Sequence, residues 1–229
     1  MINRFILASP GLEASSELRW AMRGCDQVEV HPGRFEDIPA FDCVATAGNS
    51  FGLMDAGMDL AVLKFFGEAL QERIQTRILK EYLGEQPVGT SIVVPTGHSR
   101  CRWVAHSPTM RIPMNIDGTD NVYLAEWATI LEVHRMNEME DARISTLVFP
   151  AFGTGTGGVS YLEAGTQIKL AIENYLKPPQ YINPSFAQIR HERVYYGGRW
   201  GFQHPRPIDS GSRTSQGNPC QPPGFDGSP

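Results

Sequence analysis

The chain has 229 residues, of which 41% are apolar and 20% charged, and 25 acidic against 20 basic side chains leave a formal charge of −5. That length and apolar content fit one domain with its own core, or at most two, and exclude a chain that is disordered throughout. An acidic chain without a block of basic residues lacks the field that attracts nucleic acid non-specifically, so general DNA or RNA binding is not expected. Cys25, Cys43, Cys101 and Cys220 are scattered without CxxC spacing, which argues against a disulfide scaffold and for reduced thiols in a cytoplasmic compartment. No apolar run approaches the roughly 20 residues of a membrane span, and the first ten residues lack the apolar core of a signal peptide. A soluble, cytoplasmic monomer without membrane contact is therefore expected.

Strand-like runs occur at Arg4–Ala8, Gln27–His31, Cys43–Ala47, Thr90–Pro95, Trp103–His106, Ser145–Pro150 and Glu192–Tyr196. Between them lie helical patterns. Asp55–Tyr82 carries Met58, Ala61, Val62, Phe65, Ala69 and Leu70 on one face, Asp120–Met139 carries Leu124, Ala128 and Leu131, and Ser160–Leu176 carries Ala164, Ile168, Ala171, Ile172 and Tyr175. The last of these opens with Ser160-Tyr-Leu-Glu163, a capping-box pattern that pairs two orphan amides reciprocally. The alternation predicts an α/β fold with a mixed, mostly parallel sheet covered on both faces. From His204 to Pro229 the chain holds six Pro, four Gly and four Ser but only Ile208 and Phe225 as large apolar residues, too few to offset the entropy of ordering. The expected organisation is a domain over residues 1–203 and a flexible tail over 204–229. Tyr195, Tyr196, Trp200 and Phe202 read as packing a final strand onto the core.

In such sheets ligands bind beyond the carboxyl ends of the strands, so the segments after Ala47 and Pro150 draw attention. The second runs Pro150-Ala-Phe-Gly153-Thr-Gly155-Thr-Gly157-Gly158-Val-Ser160, from a strand end into the capped helix. Four glycines in six residues are costly in entropy and suit a loop whose amides must approach an anion, with the positive end of the next helix behind it. A phosphate gripped by amides agrees with the acidic net charge; the plain alternative is a tight turn whose glycines only permit positive φ. Gly153, Gly155 and Gly158 also spell G-x-G-x-x-G, but the acidic residue this fingerprint expects, Glu173, falls within a predicted helix, and the loop lies late in the chain.

The first segment reads Thr46-Ala47-Gly48-Asn49-Ser50, then Gly52, Asp55, Gly57 and Asp59 before a helix. The Asn49 carboxamide offers a donor and an acceptor suited to the vicinal hydroxyls of a sugar, or serves as a turn residue. Asp55 and Asp59 are candidate acids or bases, or favourable charges at a helix start. His98, Cys101 and His106 carry metal-capable atoms without the spacing of a zinc site, so neither a metal nor a cofactor is expected. The absence of G-x-S-x-G, H-E-x-x-H and G-K-S/T argues against a nucleophile-elbow hydrolase, a zincin and a P-loop nucleotidase.

Taken together the two loops resemble the macrodomain family, of the Appr-1''-p processing type, over roughly residues 3–178. Thr46-Ala-Gly-Asn49 stands for its Asn-Ala-Ala-Asn element, Met58-Asp59 for its Val-Asp pair, Ala105-His-Ser-Pro108 for an intervening strand, and Pro150 to Val159 for its second phosphate loop. The resemblance implies a three-layer α/β/α sandwich that binds ADP-ribose, free or attached to a protein or metabolite. It implies that Asn49 meets the distal ribose, that the Leu53–Gly57 loop meets the diphosphate, and that Gly153, Thr154, Gly155, Thr156, Gly157 and Gly158 wrap its other side, with Ala47, Gly48 and Phe152 as further ligand-binding residues. Glu36 or Asp37 in Gly33-Arg-Phe-Glu-Asp stands where the family carries an acid for the adenine amino group. Two readings follow: an ADP-ribosyl hydrolase in which Asn49 orients the ribose and Asp55 or Asp59 activates water, or a non-catalytic reader. The reader is favoured by Met54-Asp-Ala-Gly57 in place of a glycine run, and by Val159 where hydrolytic members carry an aromatic residue. A Rossmann-type NAD-dependent oxidoreductase is the third alternative.

Overall fold

The structure, a computed structural model, describes residues 1–9, 11–139 and 142–194. The expected tail and the aromatic cluster from Tyr195 to Phe202 lie outside the described residues.

In chain order the elements are β1 (Arg4–Ser9), α1 (Leu12–Ala21), β2 (Val28–Pro32), a 3₁₀ turn (Phe35–Asp37), β3 (Cys43–Thr46), α2 (Gly57–Phe66) and α3 (Ala69–Tyr82). There follow β4 (Ile92–Pro95), β5 (Trp103–His106), α4 (Asn121–Met139), β6 (Thr146–Pro150), α5 (Tyr161–Leu176) and α6 (Pro184–Arg193). The strands form one six-stranded sheet in the order β2-β1-β6-β3-β5-β4, parallel except for the β4–β5 pair. This is the predicted mixed, mostly parallel sheet. Its order differs from the 3-2-1-4-5-6 arrangement of a dinucleotide-binding Rossmann sheet.

Successive strand residues face opposite sides, and the sheet uses this period to build two cores. Phe5, Leu7, Cys43, Ala45, Leu147 and Phe149 pack with α1, α4 and α5 through such residues as Leu18, Ile130 and Ile168. Their neighbours Ile6, Ala8, Val44, Val104 and Val148 pack with α2 and α3 through Val62, Leu70 and Ile74. Burial on both faces explains why β1, β3 and β6 read as continuous apolar runs.

The structure corrects three local expectations and adds one helix for which there was none. The helix predicted over Asp55–Tyr82 is two helices, because Gly67 at the end of α2 has φ of +93°, a turn that residues with a Cβ rarely make. The strand predicted at Glu192–Tyr196 gives way at Glu192 and Arg193 to the end of α6, a helix started by Asn183, whose Oδ1 accepts the Phe186 N–H at 2.8 Å, and by Pro184 at its first position. The cap of α5 is one-sided: Ser160 Oγ accepts the Glu163 N–H at 3.2 Å, but the Glu163 carboxylate turns to Gln167 Nε2, also at 3.2 Å. Finally, α1, for which no helix was expected, buries Ala14, Ser15, Leu18 and Ala21 on one face; its Ser15 hydroxyl donates back to the Gly11 carbonyl at 2.6 Å.

Candidate functional site

A cavity of about 430 Å³ opens where β1, β3 and β6 end. Ala8 and Ser9 at the end of β1, the Gly33–Glu36 turn after β2, Ala47–Asn49 after β3, and Pro150, Ala151 and Gly153–Gly157 after β6 all line it. Thr109, Met110 and Pro113 close another side. The parallel strands thus deliver both predicted loops to one place, although about a hundred residues separate them in sequence.

The loop after β3 is shaped by Asn49, which is 7% exposed. Its Oδ1 accepts the N–H groups of Phe51 at 3.1 Å and Leu53 at 3.3 Å, and its Nδ2 donates to the Leu53 carbonyl at 2.8 Å. One Nδ2 hydrogen remains for a ligand. The Met54 N–H that follows is taken by Gln71 Oε1 at 2.8 Å, which ties the loop to α3.

Asp55, Gly57 and Asp59 all reach the cavity wall around the start of α2. Asp55 is exposed, whereas Asp59 is buried in the first helical turn, where the helix dipole favours negative charge. Burial nevertheless dominates at Asp59: desolvation, opposed by the Thr46 hydroxyl and reinforced by Asp55, pushes its carboxyl from an ordinary 3.8 up to about 7. The Thr46 hydroxyl acts on this carboxyl by proximity without reaching full hydrogen-bond geometry, since Asp59 Oδ1 and Thr46 Oγ1 are both buried without a partner.

The glycine loop spends some amides on itself. Thr154, Gly158 and Val159 donate to the carbonyls of Ala151, Gly155 and Gly153 at 3.3, 3.1 and 3.1 Å, and Thr154 Oγ1 also donates to Ala151 at 2.8 Å. The amides of Gly155, Thr156 and Gly157 have no acceptor among the described residues, and all three residues line the cavity. Gly157 is required by space: a Cβ there would stand 2.5 Å from the Gly153 carbonyl oxygen. Ile116 N–H holds the Gly157 carbonyl at 2.9 Å and so braces the loop from α4's side.

Two predicted ligand residues stand off the wall. Phe152 is fully buried among the α4–α5 side of the core, and Gly158, at φ of +70°, packs on the Asn115 carboxamide. Val159 is also core, but Tyr161, the first residue of α5, is on the cavity wall, so an aromatic surface is present two positions beyond where the sequence reading sought one. Glu36 is on the wall and forms an ion pair with Arg34, while Asp37 is not part of the wall. The turn that carries them is held by Arg100, whose Nη2 donates to the carbonyls of Glu36 and Ile38 at 2.8 and 2.7 Å. Arg34 is the one Lys or Arg among the described residues of the wall.

Glu173, the acid a Rossmann site would need, lies late in α5 and pairs with Arg193 at 2.7 Å. His98 lies against the rings of Phe65, tilted, and Phe66, edge-on, and His106 is buried at the end of β5. Among the described residues no three His, Cys, Asp or Glu side chains come together to hold a metal ion, and no helix is long and apolar enough to cross a membrane.

An α/β/α sandwich with a ligand cavity at the carboxyl ends of its parallel strands is the class defined by this geometry. The family model described as Macro domain matches residues 45–168, more than half of the 229-residue chain, and the chain belongs to the macrodomain family. It is 25% identical over 171 residues to an uncharacterized protein of Aeropyrum pernix, covering 74% of this chain and 82% of that one. With an uncharacterized protein of Aquifex aeolicus it shares 26% identity over 133 residues, 58% and 72% of the two chains. Among solved structures, the macrodomain of Mycobacterium tuberculosis DarG superposes with a TM-score of 0.51 at 16% identity, over 63% of this chain and 89% of that one. The Oceanobacillus iheyensis macrodomain with ADP gives 0.51 at 19% identity over 69% and 86%. A variant of the same protein with ADPR gives 0.50 at 18% identity over 67% and 84%. These structural likenesses establish a common fold.

Proposed function

We propose that the chain binds ADP-ribose, free or carried on a protein or metabolite. The observation that carries this reading is the cavity wall itself: Gly155, Thr156 and Gly157, whose amides have no acceptor among the described residues, line a space of about 430 Å³, and Arg34, the one Lys or Arg among the described residues of the wall, is already paired with Glu36. An anion there is held by main-chain dipoles, as suits a diphosphate in an acidic protein. The volume lies in the range of nucleotide-sized ligand sites. In this reading the Gly57 turn meets the diphosphate from the opposite side, Asn49 offers its remaining Nδ2 hydrogen to the distal ribose, and Glu36 takes the adenine amino group. Macrodomain neighbours solved with ADP and ADPR support the assignment of ligand class. Calorimetric titration with ADP-ribose, ADP and NAD tests it: ADP-ribose binding most tightly supports the reading, and no heat with ADP-ribose overturns it.

One observation favours a hydrolytic role for the same site. Asp59 carries a carboxyl near neutrality beside Asp55, the condition that suits a general base at physiological pH. A water giving its proton to Asp55 or Asp59 would attack at the distal ribose or its ester, with Asn49 orienting the sugar, break the C–O bond to the carrier, and release ADP-ribose and the carrier's carboxylic acid. Incubation with ester-linked ADP-ribosyl peptide decides this: release of ADP-ribose makes the protein an ADP-ribosyl hydrolase, and binding without release makes it a reader.

A further inference from the structure

Gly48 leaves β3 with its Cα against the ring of His106, the last residue of β5. A Cβ on Gly48 would stand 2.1 Å from His106 Nε2, 2.7 Å from Cδ2 and 3.0 Å from Cε1, inside any tolerable contact. The loop therefore occupies its place only as long as residue 48 has no side chain and the ring below stays where it is.

The ring is fixed by Gln86, which is fully buried. Gln86 Nε2 donates to the His106 carbonyl at 3.3 Å, which turns its Oε1 toward His106 Nδ1 at 2.9 Å and makes Nδ1 the protonated nitrogen. Nε2 then carries the lone pair, and it is buried without a hydrogen-bond partner. What stands over it is the Gly48 Cα hydrogen that a side chain would replace. Burial holds the imidazole down to about 4, so the ring is neutral across the physiological range.

The same residues reach the loop through the main chain. Gln86 N–H donates to the Ser50 carbonyl at 2.8 Å, Thr109 N–H donates to the Gly48 carbonyl at 3.0 Å, and Ser50 N–H donates to Met110 at 3.1 Å. Gly48 thus rests on one ring, hydrogen bonds at Gly48 and Ser50 hold the loop at its flanks, and Gly48 and Asn49 line the cavity.

We propose that His106, oriented by Gln86, is a positioning residue that sets the height of the Gly48–Asn49 loop and through it the affinity of the cavity for ADP-ribose. This rests on the ADP-ribose reading above. It makes residues 48 and 106 complementary in size: bulk added at one position must be removed at the other.

The test is titration of ADP-ribose into the wild type, Gly48→Ala, His106→Ala and the double variant, with thermal unfolding of each. Gly48→Ala should weaken binding at least tenfold, and the double variant should recover to within a few-fold of His106→Ala alone. Wild-type affinity in Gly48→Ala, or a folded double variant no better than Gly48→Ala, overturns the proposal. If Gly48→Ala does not fold, Gln86→Leu replaces it: the imidazole ¹⁵N–¹H spectrum should change from pure Nδ1–H to a mixture of tautomers as affinity falls, and an unchanged spectrum or affinity overturns the proposal. A wild type that does not bind ADP-ribose contradicts the function reading instead; recovery of melting temperature in the double variant then still supports the contact, and its absence overturns it.

Discussion

The Asn49 side chain is closed on the backbone of Leu53, donating to its carbonyl at 2.8 Å and accepting its N–H at 3.3 Å. With the further bond from Phe51, the carboxamide builds the loop after β3 and leaves one Nδ2 hydrogen unused. Asn49→Ala strands the three backbone partners in a part-buried place, at a cost of about 1–3 kcal/mol for leaving such groups unsatisfied. Thermal unfolding should show that loss and titration a fall of tenfold or more in ADP-ribose affinity. A variant that binds weakly at unchanged stability would assign Asn49 to ligand contact alone.

Asp59 predicts a pH dependence with a definite sign. Its folded carboxyl titrates near 7 instead of 3.8, so between those values the native state holds a proton that the unfolded state releases. Its favourable contribution to stability is present at low pH and lost as pH rises through 7. Ionisation also adds negative charge beside a diphosphate, so ADP-ribose affinity should fall several-fold from pH 6 to 8, and Asp59→Asn should flatten that profile. If the protein is hydrolytic with Asp59 as its base, the rate should instead rise through pH 7 and Asp59→Asn should lower it by about 10²-fold or more, the usual contribution of a general base.

Glu126 of α4 is fully buried, with both carboxyl oxygens unpartnered, and burial pushes it from 4.5 to about 8. It is therefore protonated at neutral pH, and stability is lost as pH rises between 4.5 and 8. Buried Asp59 adds the same trend below 7, and His106, whose pKa is lowered, opposes it between 4 and 6.5 because the unfolded state there binds the extra proton. Above pH 7 Glu126 stands alone among these three. Denaturant unfolding from pH 7 to 8 should show wild-type stability falling by up to about 1.4 kcal/mol per pH unit, and Glu126→Gln should lose that slope. Equal slopes would place Glu126 in a better-solvated setting.

The glycine loop separates space from conformation. At Gly157 a Cβ meets the Gly153 carbonyl oxygen at 2.5 Å, whereas at Gly155 nothing lies within 4 Å. Gly157→Ala should therefore abolish measurable ADP-ribose binding, while Gly155→Ala should fold with wild-type stability and lose affinity only modestly. Equal affinity in the two variants would separate the loop from ligand binding.

Periodicity made the sheet legible: the buried strands carry apolar runs, and every predicted strand from Arg4 to Pro150 is present within two residues at its ends. The helices α1 and α6 were not legible, because the buried face of α1 is mostly small (Ala14, Ser15, Leu18, Ala21) while its larger Leu12 and Trp20 are exposed, and α6 buries no residue. Both cavity loops were legible from glycine, asparagine and carboxylate spacing. Tyr161 was not, because a helix's first residue faces back over its own N-terminal loop, a direction that sequence spacing does not report. Nor was the contact of Gly48 with His106, which joins residues on neighbouring strands and shows in the sequence only as a glycine where the family carries alanine.

In the proposed complex, amides of the Gly155–Gly157 loop hold a diphosphate attached to a second ribose. Calorimetric titration of the wild type with ADP-ribose, ADP and NAD tests it most directly. ADP-ribose should bind most tightly, ADP more weakly through the shared diphosphate, and NAD weakest. NAD binding more tightly than ADP-ribose, or no heat with ADP-ribose, would contradict it.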